Sequence, residues 1–190
     1  MTSVQPVFYY DLGTPECYLI AERVMSELPV VPEWEPVLAR SLAIEPPEPD
    51  HDSFERRGRE LGLQPLRWPA RWPPDTETAM LAATYAKRVG RAVAFSLAAF
   101  RQAFAGGRDL GDEGTVLIAA AACEMHPTAV LKGISLRSVR GALADAGRRA
   151  SAAGVLALPA IAVGDRVFEG PQCIDPAAAA LGAMLAGRTQ

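Results

Sequence analysis

Apolar residues recur along this chain in two rhythms. Short apolar runs stand near both ends, and a long stretch with helical spacing lies between them. Val4 to Asp11, rich in Val and aromatics, predicts a first strand. From Pro15 to about Leu28, the stripe Tyr18, Leu19, Ala21, Val24, Met25 and Leu28 predicts a helix that Pro29 and Pro32 end. Glu33 to Ala39 reads as a second strand near a sheet edge, because Pro36 cannot donate to a ladder. A strand–helix–strand opening favours a parallel pair with a right-handed crossover.

Ile44 to Asp52 breaks the pattern. It is Pro-rich and acidic, reads as an exposed connection, and leaves His51 solvated. Helical spacing then fills Ser53–Leu61, Thr76–Val89, Ala92–Ala105, Asp112–Cys123, Thr128–Ile134 and Leu136–Ala153. Gly90, Gly106, Gly107 and Gly133 are read as helix ends. Leu66 to Pro74 holds too much Pro and Trp for regular structure. Ala160–Val163 and Arg166–Glu169 predict a hairpin around Gly164-Asp165. A last helix is expected from Asp175, as N-cap, with Pro176 first in the helix, through to Ala186.

The order β-α-β, helices, β-β-α gives an α/β fold. It divides into a first half over residues 1–45, an all-helical insertion over 46–150 and a second half over 151–190. In that arrangement Thr14, Pro159 and the loop from Gly170 to Asp175 converge at one end of the sheet.

Composition narrows the function classes. A chain of 190 residues can bury one full core. With 19 basic and 22 acidic residues the net charge is −3, no footprint for nucleic acid or an anionic membrane. The start, MTSVQPVFYY, has no signal-peptide pattern, and no apolar run is long enough to span a bilayer. A soluble cytoplasmic protein is expected. Cys17, Cys123 and Cys173 are odd in number and lack CxxC spacing, which argues against a disulfide framework and a structural zinc site. Cys123 and His126 lie about one helical turn apart, but two ligands do not make a metal site; packing of Cys123 on a helix face is the expectation.

The candidate chemistry sits where the first strand meets the first helix. Thr14 suits an N-cap and Pro15 the first helical position, while Glu16 places negative charge where the helix dipole favours it. The exposed N–H groups of such a turn favour an anion or a thiolate. Cys17, in the first turn, is expected to have a lowered pKa.

Four fragments, in order, resemble one family. VFYYDLGTPECYL looks like the strand–turn–helix that opens DsbA-like thioredoxin-fold proteins. It is closest to the branch of 2-hydroxychromene-2-carboxylate isomerases and kappa-class glutathione transferases. LGLQPLRWPARWPPDTETA (Leu61–Ala79), Gly107-Arg108-Asp109-Leu110 and GVLALPAIAVGDRVFEG are similar to later motifs of that branch. The resemblance implies a thioredoxin fold with a mixed sheet of about four strands and a helical insertion. It also implies a cis Leu158–Pro159 bond, with Leu158 offering its backbone to a thiol ligand.

Dithiol members carry CxxC where this chain has Thr14-Pro15-Glu16-Cys17, so the attacking Cys is missing. In the isomerase and transferase branch a Ser takes that place and its hydroxyl donates to the glutathione sulfur; Thr14 keeps a hydroxyl. Glutathione is therefore the implied cofactor, held at Pro15, Leu158, Pro159, Gln172, Cys173 and Asp175. A small electrophilic aromatic compound is the implied substrate, walled by Trp68 and Trp72, and a homodimer is a possible assembly.

Departures count against glutathione. Gln172 and Cys173 stand where the family has Asp-Arg, removing a carboxylate that would pair with the ligand's ammonium at a cost of roughly 1.5–3 kcal/mol. Glu16 replaces an aromatic residue and adds negative charge beside the thiolate. Asp75 stands where the family has Asn.

Two alternatives remain from the sequence. One is a thiol–disulfide oxidoreductase using Cys17, with Cys17 and Cys173 forming a redox pair. The other is a non-catalytic binding protein on the same fold.

Overall fold

The structure, a computed structural model, describes residues 5–45 and 48–187. Its sheet is mixed and four-stranded, in the order β2-β1-β3-β4. These strands are β1 (Val7–Tyr10), β2 (Glu33–Pro36), β3 (Ala160–Val163) and β4 (Arg166–Glu169). β1 pairs parallel to β2, with Val7 opposite Glu33, and antiparallel to β3, with Phe8 opposite Ile161. β2 is an edge strand, as Pro36 requires. The expected thioredoxin arrangement is present, and α1 (Pro15–Glu27) provides its first crossover.

Between β2 and β3 run α2 (His51–Glu60), α3 (Glu77–Arg88), α4 (Ala92–Phe104), α5 (Glu113–Ala121), α6 (Pro127–Ser135) and α7 (Arg137–Ala152); α8 (Ile174–Ala186) follows the hairpin. Among the described residues no helix is long and apolar enough to cross a membrane.

An aromatic seam joins sheet and helices. Phe8 stacks on Tyr10 at 5.4 Å, Trp34 meets both edge-on, and Tyr10 reaches Phe100 of α4 at 5.9 Å. Burying each such ring contributes about 1.5–3 kcal/mol. The Tyr10 hydroxyl would be an unsatisfied polar group in this core, and the Ser96 hydroxyl at 2.6 Å pairs with it. On β2, the buried Glu35 carboxylate accepts from Lys87 of α3 at 2.8 Å and Arg149 of α7 at 3.0 Å. Two cations from two helices thus compensate one buried charge and tie those helices to the sheet.

Several expected boundaries move, each for a physical reason. Among the described residues β1 ends at Tyr10, because Asp11 turns inward to accept N–H groups from Gly13 and Ala39; Val4 lies outside the described residues. The second strand stops at Pro36 rather than Ala39, and a 3₁₀ turn over Ala39–Leu42 follows where Asp11 captures the chain. The first insertion helix starts earlier than expected, since the Asp50 side chain caps it by accepting from the Ser53 N–H. His51 is therefore helical rather than in a linker and stacks on Trp68 at 4.1 Å, but it is exposed, as expected; residues 46–47 of that linker lie outside the described residues.

Gly133 is not a helix end. It lies inside α6, where a Cβ would come within 2.5 Å of the Tyr85 ring, so its role is close approach between helices. Asp175 is not an N-cap either. A turn closed by the Cys173 N–H on the Gly170 carbonyl starts the winding earlier, Cys173 takes the cap position, and Asp175 falls in the first turn.

Candidate functional site

The turn between β1 and α1 is built on Asp11. The Asp11 Oδ1 accepts from the Gly13 N–H at 2.9 Å and the Thr76 hydroxyl at 3.0 Å, and Oδ2 accepts from the Ala39 N–H at 2.8 Å. Burial pushes this carboxyl above its ordinary pKa, against the pull of those three donors. Gly13 lets Thr76 approach, since a Cβ there would lie 2.7 Å from the Thr76 methyl. One buried carboxylate therefore fixes where α1 begins.

Thr14 stands at the α1 N-cap with extended backbone, yet its side chain makes no cap hydrogen bond. Its hydroxyl has no partner among the described residues and is only half-buried. It borders two cavities. One, of about 310 Å³, is shared with Asp11, Arg40, Arg71, Pro74 and Thr76. The other, of about 250 Å³, is shared with Pro15, Glu16, Phe54, Trp72 and Leu158.

Leu158 reaches that second cavity from the far end of the chain. The Leu158–Pro159 bond is cis, as the resemblance implies, and so is Trp72–Pro73. No hydrogen bond among the described residues uses the Leu158 N–H or carbonyl. The next carbonyl, that of Pro159, accepts from the Gly170 N–H at 2.9 Å. The cleft thus combines a free hydroxyl at a helix N-terminus, a free backbone edge and an aromatic wall from Phe54 and Trp72.

Glu16 does not leave a bare charge beside this cleft. Arg57 of α2 donates to both Glu16 oxygens, at 2.5 and 2.8 Å. Past this ion pair a further cavity of about 370 Å³ is lined by Arg23, Arg57, Glu60 and Gln172. Gln172 is exposed there and does not line the Thr14 cleft.

The cysteines differ from expectation. Cys17 is fully buried, and burial raises its pKa well above the ordinary thiol value, outweighing a hydrogen bond with the Asp11 backbone. The helix-start position does not lower it, because the thiol faces the core rather than the N–H groups' solvent side. Cys173 is likewise buried, with its pKa pushed up to about 12. Both are free thiols and neither is an exposed thiolate. Cys123 packs behind α5, its thiol donating to the Ala119 carbonyl at 2.9 Å.

Of the residues singled out from the sequence, Thr14, Pro15 and Leu158 line one cleft and Gln172 lines the next. Pro159 anchors the Leu158 turn, Cys17 and Cys173 are buried, and Asp175 is exposed on α8. Phe54 and Arg57 were not anticipated. Phe54 had a signal, as the lone large apolar residue in the charged helix HDSFERRGRE. Arg57 had none, since its partner lies 41 residues away.

Curated proteins give no match to the sequence. Among solved structures, a 2-hydroxychromene-2-carboxylate isomerase superposes with a TM-score of 0.81 at 17% identity, covering 97% of both chains. A probable DsbA oxidoreductase from Streptomyces coelicolor gives 0.78 at 17% identity, over 99% of this chain and 92% of that one. The cytosolic disulfide reductase DsbM from Pseudomonas aeruginosa, solved with GSH, gives 0.65 at 15% identity, over 96% and 99%. At such identities these likenesses establish the shared fold. The family model of the DSBA-like thioredoxin domain matches residues 7–182. The chain belongs to the DSBA-like thioredoxin domain family.

Proposed function

We propose that this protein is a thiol-dependent isomerase or transferase of the cytoplasm, using glutathione on a small electrophilic aromatic substrate. One observation carries the reading. The Thr14 hydroxyl and the Leu158 backbone are both unpaired and border one cleft, walled by Phe54 and Trp72 and lined also by Glu16, Glu48 and Asp50, while the sulfurs of Cys17 and Cys173 are buried. A site with no reactive thiol of its own, but with groups that suit a sulfur, fits a thiol brought by a ligand.

The residues fit the cysteinyl part of glutathione. Leu158 offers an N–H and a carbonyl to an extended peptide, and Thr14 offers a hydroxyl to its sulfur. The outer part meets Gln172, which hydrogen-bonds without charge, in a cavity that Arg23 and Arg57 also line. When bound, the thiol supplies a nucleophile for an electrophilic carbon. Thr14 and the N–H groups of α1 stabilise negative charge at the sulfur. Arg57 neutralises Glu16, which would otherwise oppose that charge. Phe54 and Trp72 exclude water and offer flat apolar faces to an aromatic substrate.

The test is turnover of 2-hydroxychromene-2-carboxylate and of an aryl halide, with and without glutathione. Thiol-dependent turnover is expected for the wild type, retained in Thr14→Ser and Cys17→Ala, and at least about tenfold lower in Thr14→Val, the loss of one charge-assisted hydrogen bond. Turnover that needs no added thiol, or that fails in Cys17→Ala while surviving in Thr14→Val, overturns the reading.

A further inference from the structure

The turn that presents Leu158 is held from an unexpected place. Upstream, Val155 is buried and its N–H bonds the Ala150 carbonyl at 3.0 Å. Downstream, the Gly170 N–H fixes the Pro159 carbonyl. Between these anchors Leu158 packs in the core, whereas the stretch before it does not, since Leu156 is 79% exposed. What holds it is Glu169, the last residue of β4. One carboxylate oxygen, Oε1, accepts the Leu156 N–H at 2.5 Å and the Ala157 N–H at 2.9 Å. Two consecutive N–H groups closing on one anionic oxygen form a backbone nest, and charge-assisted bonds are the stronger kind.

We propose that Glu169 is a positioning residue for the thiol site: by seating its carboxylate in the Leu156–Ala157 nest, it sets the free backbone edge of Leu158 against Thr14. The inference rests on the thiol-dependent reading given above. Glu169 touches no ligand in this account and acts through the two residues that precede Leu158. Gly170, its neighbour in sequence, bonds the residue that follows Leu158. The end of β4 therefore clamps the edge from both sides, and an edge held in its binding shape loses less entropy when a peptide pairs with it. Without the carboxylate, the anchors at Val155 and Pro159 and the buried Leu158 side chain remain but the nest is empty, so the backbone leading into Leu158 loosens without unfolding the sheet.

The experiment measures glutathione and S-hexylglutathione affinity by calorimetry, well below the melting temperature, for wild type, Glu169→Gln and Glu169→Ala. Hydrogen exchange at Leu156 and Ala157 is followed in the same proteins. The expected result is about tenfold weaker binding in Glu169→Ala, with faster exchange at those two amides and unchanged exchange in β3. Glu169→Gln, which keeps one acceptor oxygen, should recover part of both. A purely structural role would move the melting temperature without this graded recovery of affinity. Equal affinity in wild type and Glu169→Ala, or unchanged exchange at the two amides, overturns the inference while the thiol-dependent reading stands. If the wild type binds neither probe, that reading falls and the role of Glu169 in it falls too.

Discussion

Asp11 and Thr14 lie three residues apart in the turn between β1 and α1. Both carboxylate oxygens of Asp11 are bonded, whereas the Thr14 hydroxyl bonds nothing among the described residues. Asp11 is buried and links three separate segments: its own turn, the 3₁₀ turn after β2, and the start of α3. Thr14 sits at the surface, between two cavities. The inner residue turns both its carboxylate oxygens to the fold, and the outer one leaves its hydroxyl unbonded among the described residues. In a family fold that hosts several chemistries, that difference separates the residue that builds the turn from the residue we propose works in it.

The comparison breaks most visibly at Asp11. Asp11→Ala leaves two N–H groups and a hydroxyl buried without an acceptor. It should destabilise the protein by roughly 3–5 kcal/mol, read as a lower urea midpoint at unchanged slope. Thr14→Val should leave that midpoint nearly unchanged. Asp11 also gives a pH signature. Its folded pKa is raised above the ordinary 3.8, so its contribution is fully present below that value and is lost as pH rises through the folded pKa. Asp11→Asn should remove this downward component from stability measured from about pH 4 upward. A pH profile identical to the wild type's would contradict the assignment.

The next effect concerns thiols. Cys17 and Cys173, with pKa values raised by burial, should resist iodoacetamide at neutral pH and react only as the protein unfolds. Rapid alkylation of either in the native protein would revive the redox-pair alternative. The smallest effect belongs to Arg57. Its pair with Glu16 is about a quarter exposed on each side, so solvent screens it, and Arg57→Ala should weaken thiol binding only about two- to fivefold. Adding Glu16→Gln should restore the affinity. Failure of that restoration in a double-mutant cycle would show that Arg57 acts in some other way.

What could be read from the sequence divides along the same line. Local patterns carried the fold: the VFYY strand, the Thr14-Pro15 helix start, the hairpin around Gly164 and the parallel β1–β2 pair all follow from spacing and turn chemistry. Element order brought Thr14 toward the Pro159 turn, and the family resemblance pointed to Leu158, which lines the same cleft. Contacts that span the chain had no local trace. Arg57 on Glu16, Thr76 and Ala39 on Asp11, and Glu169 on the Leu156–Ala157 nest all depend on how the elements pack. A local rule also gave the wrong sign at Cys17, because a helix start lowers a thiol pKa only when burial does not outweigh it. Gly133 misled for a similar reason: its lack of a side chain serves the Tyr85 ring, not a helix end.

The central claim is that Thr14 holds a ligand's sulfur as a thiolate. The direct measurement is the pKa of the glutathione thiol in the complex, followed by the ultraviolet absorbance of the thiolate. The bound thiol should ionise below its value in free glutathione for the wild type, and Thr14→Val should raise the bound pKa by about one to two, equivalent to roughly 1.5–3 kcal/mol. Glutathione that binds both proteins with the same thiol pKa would contradict it.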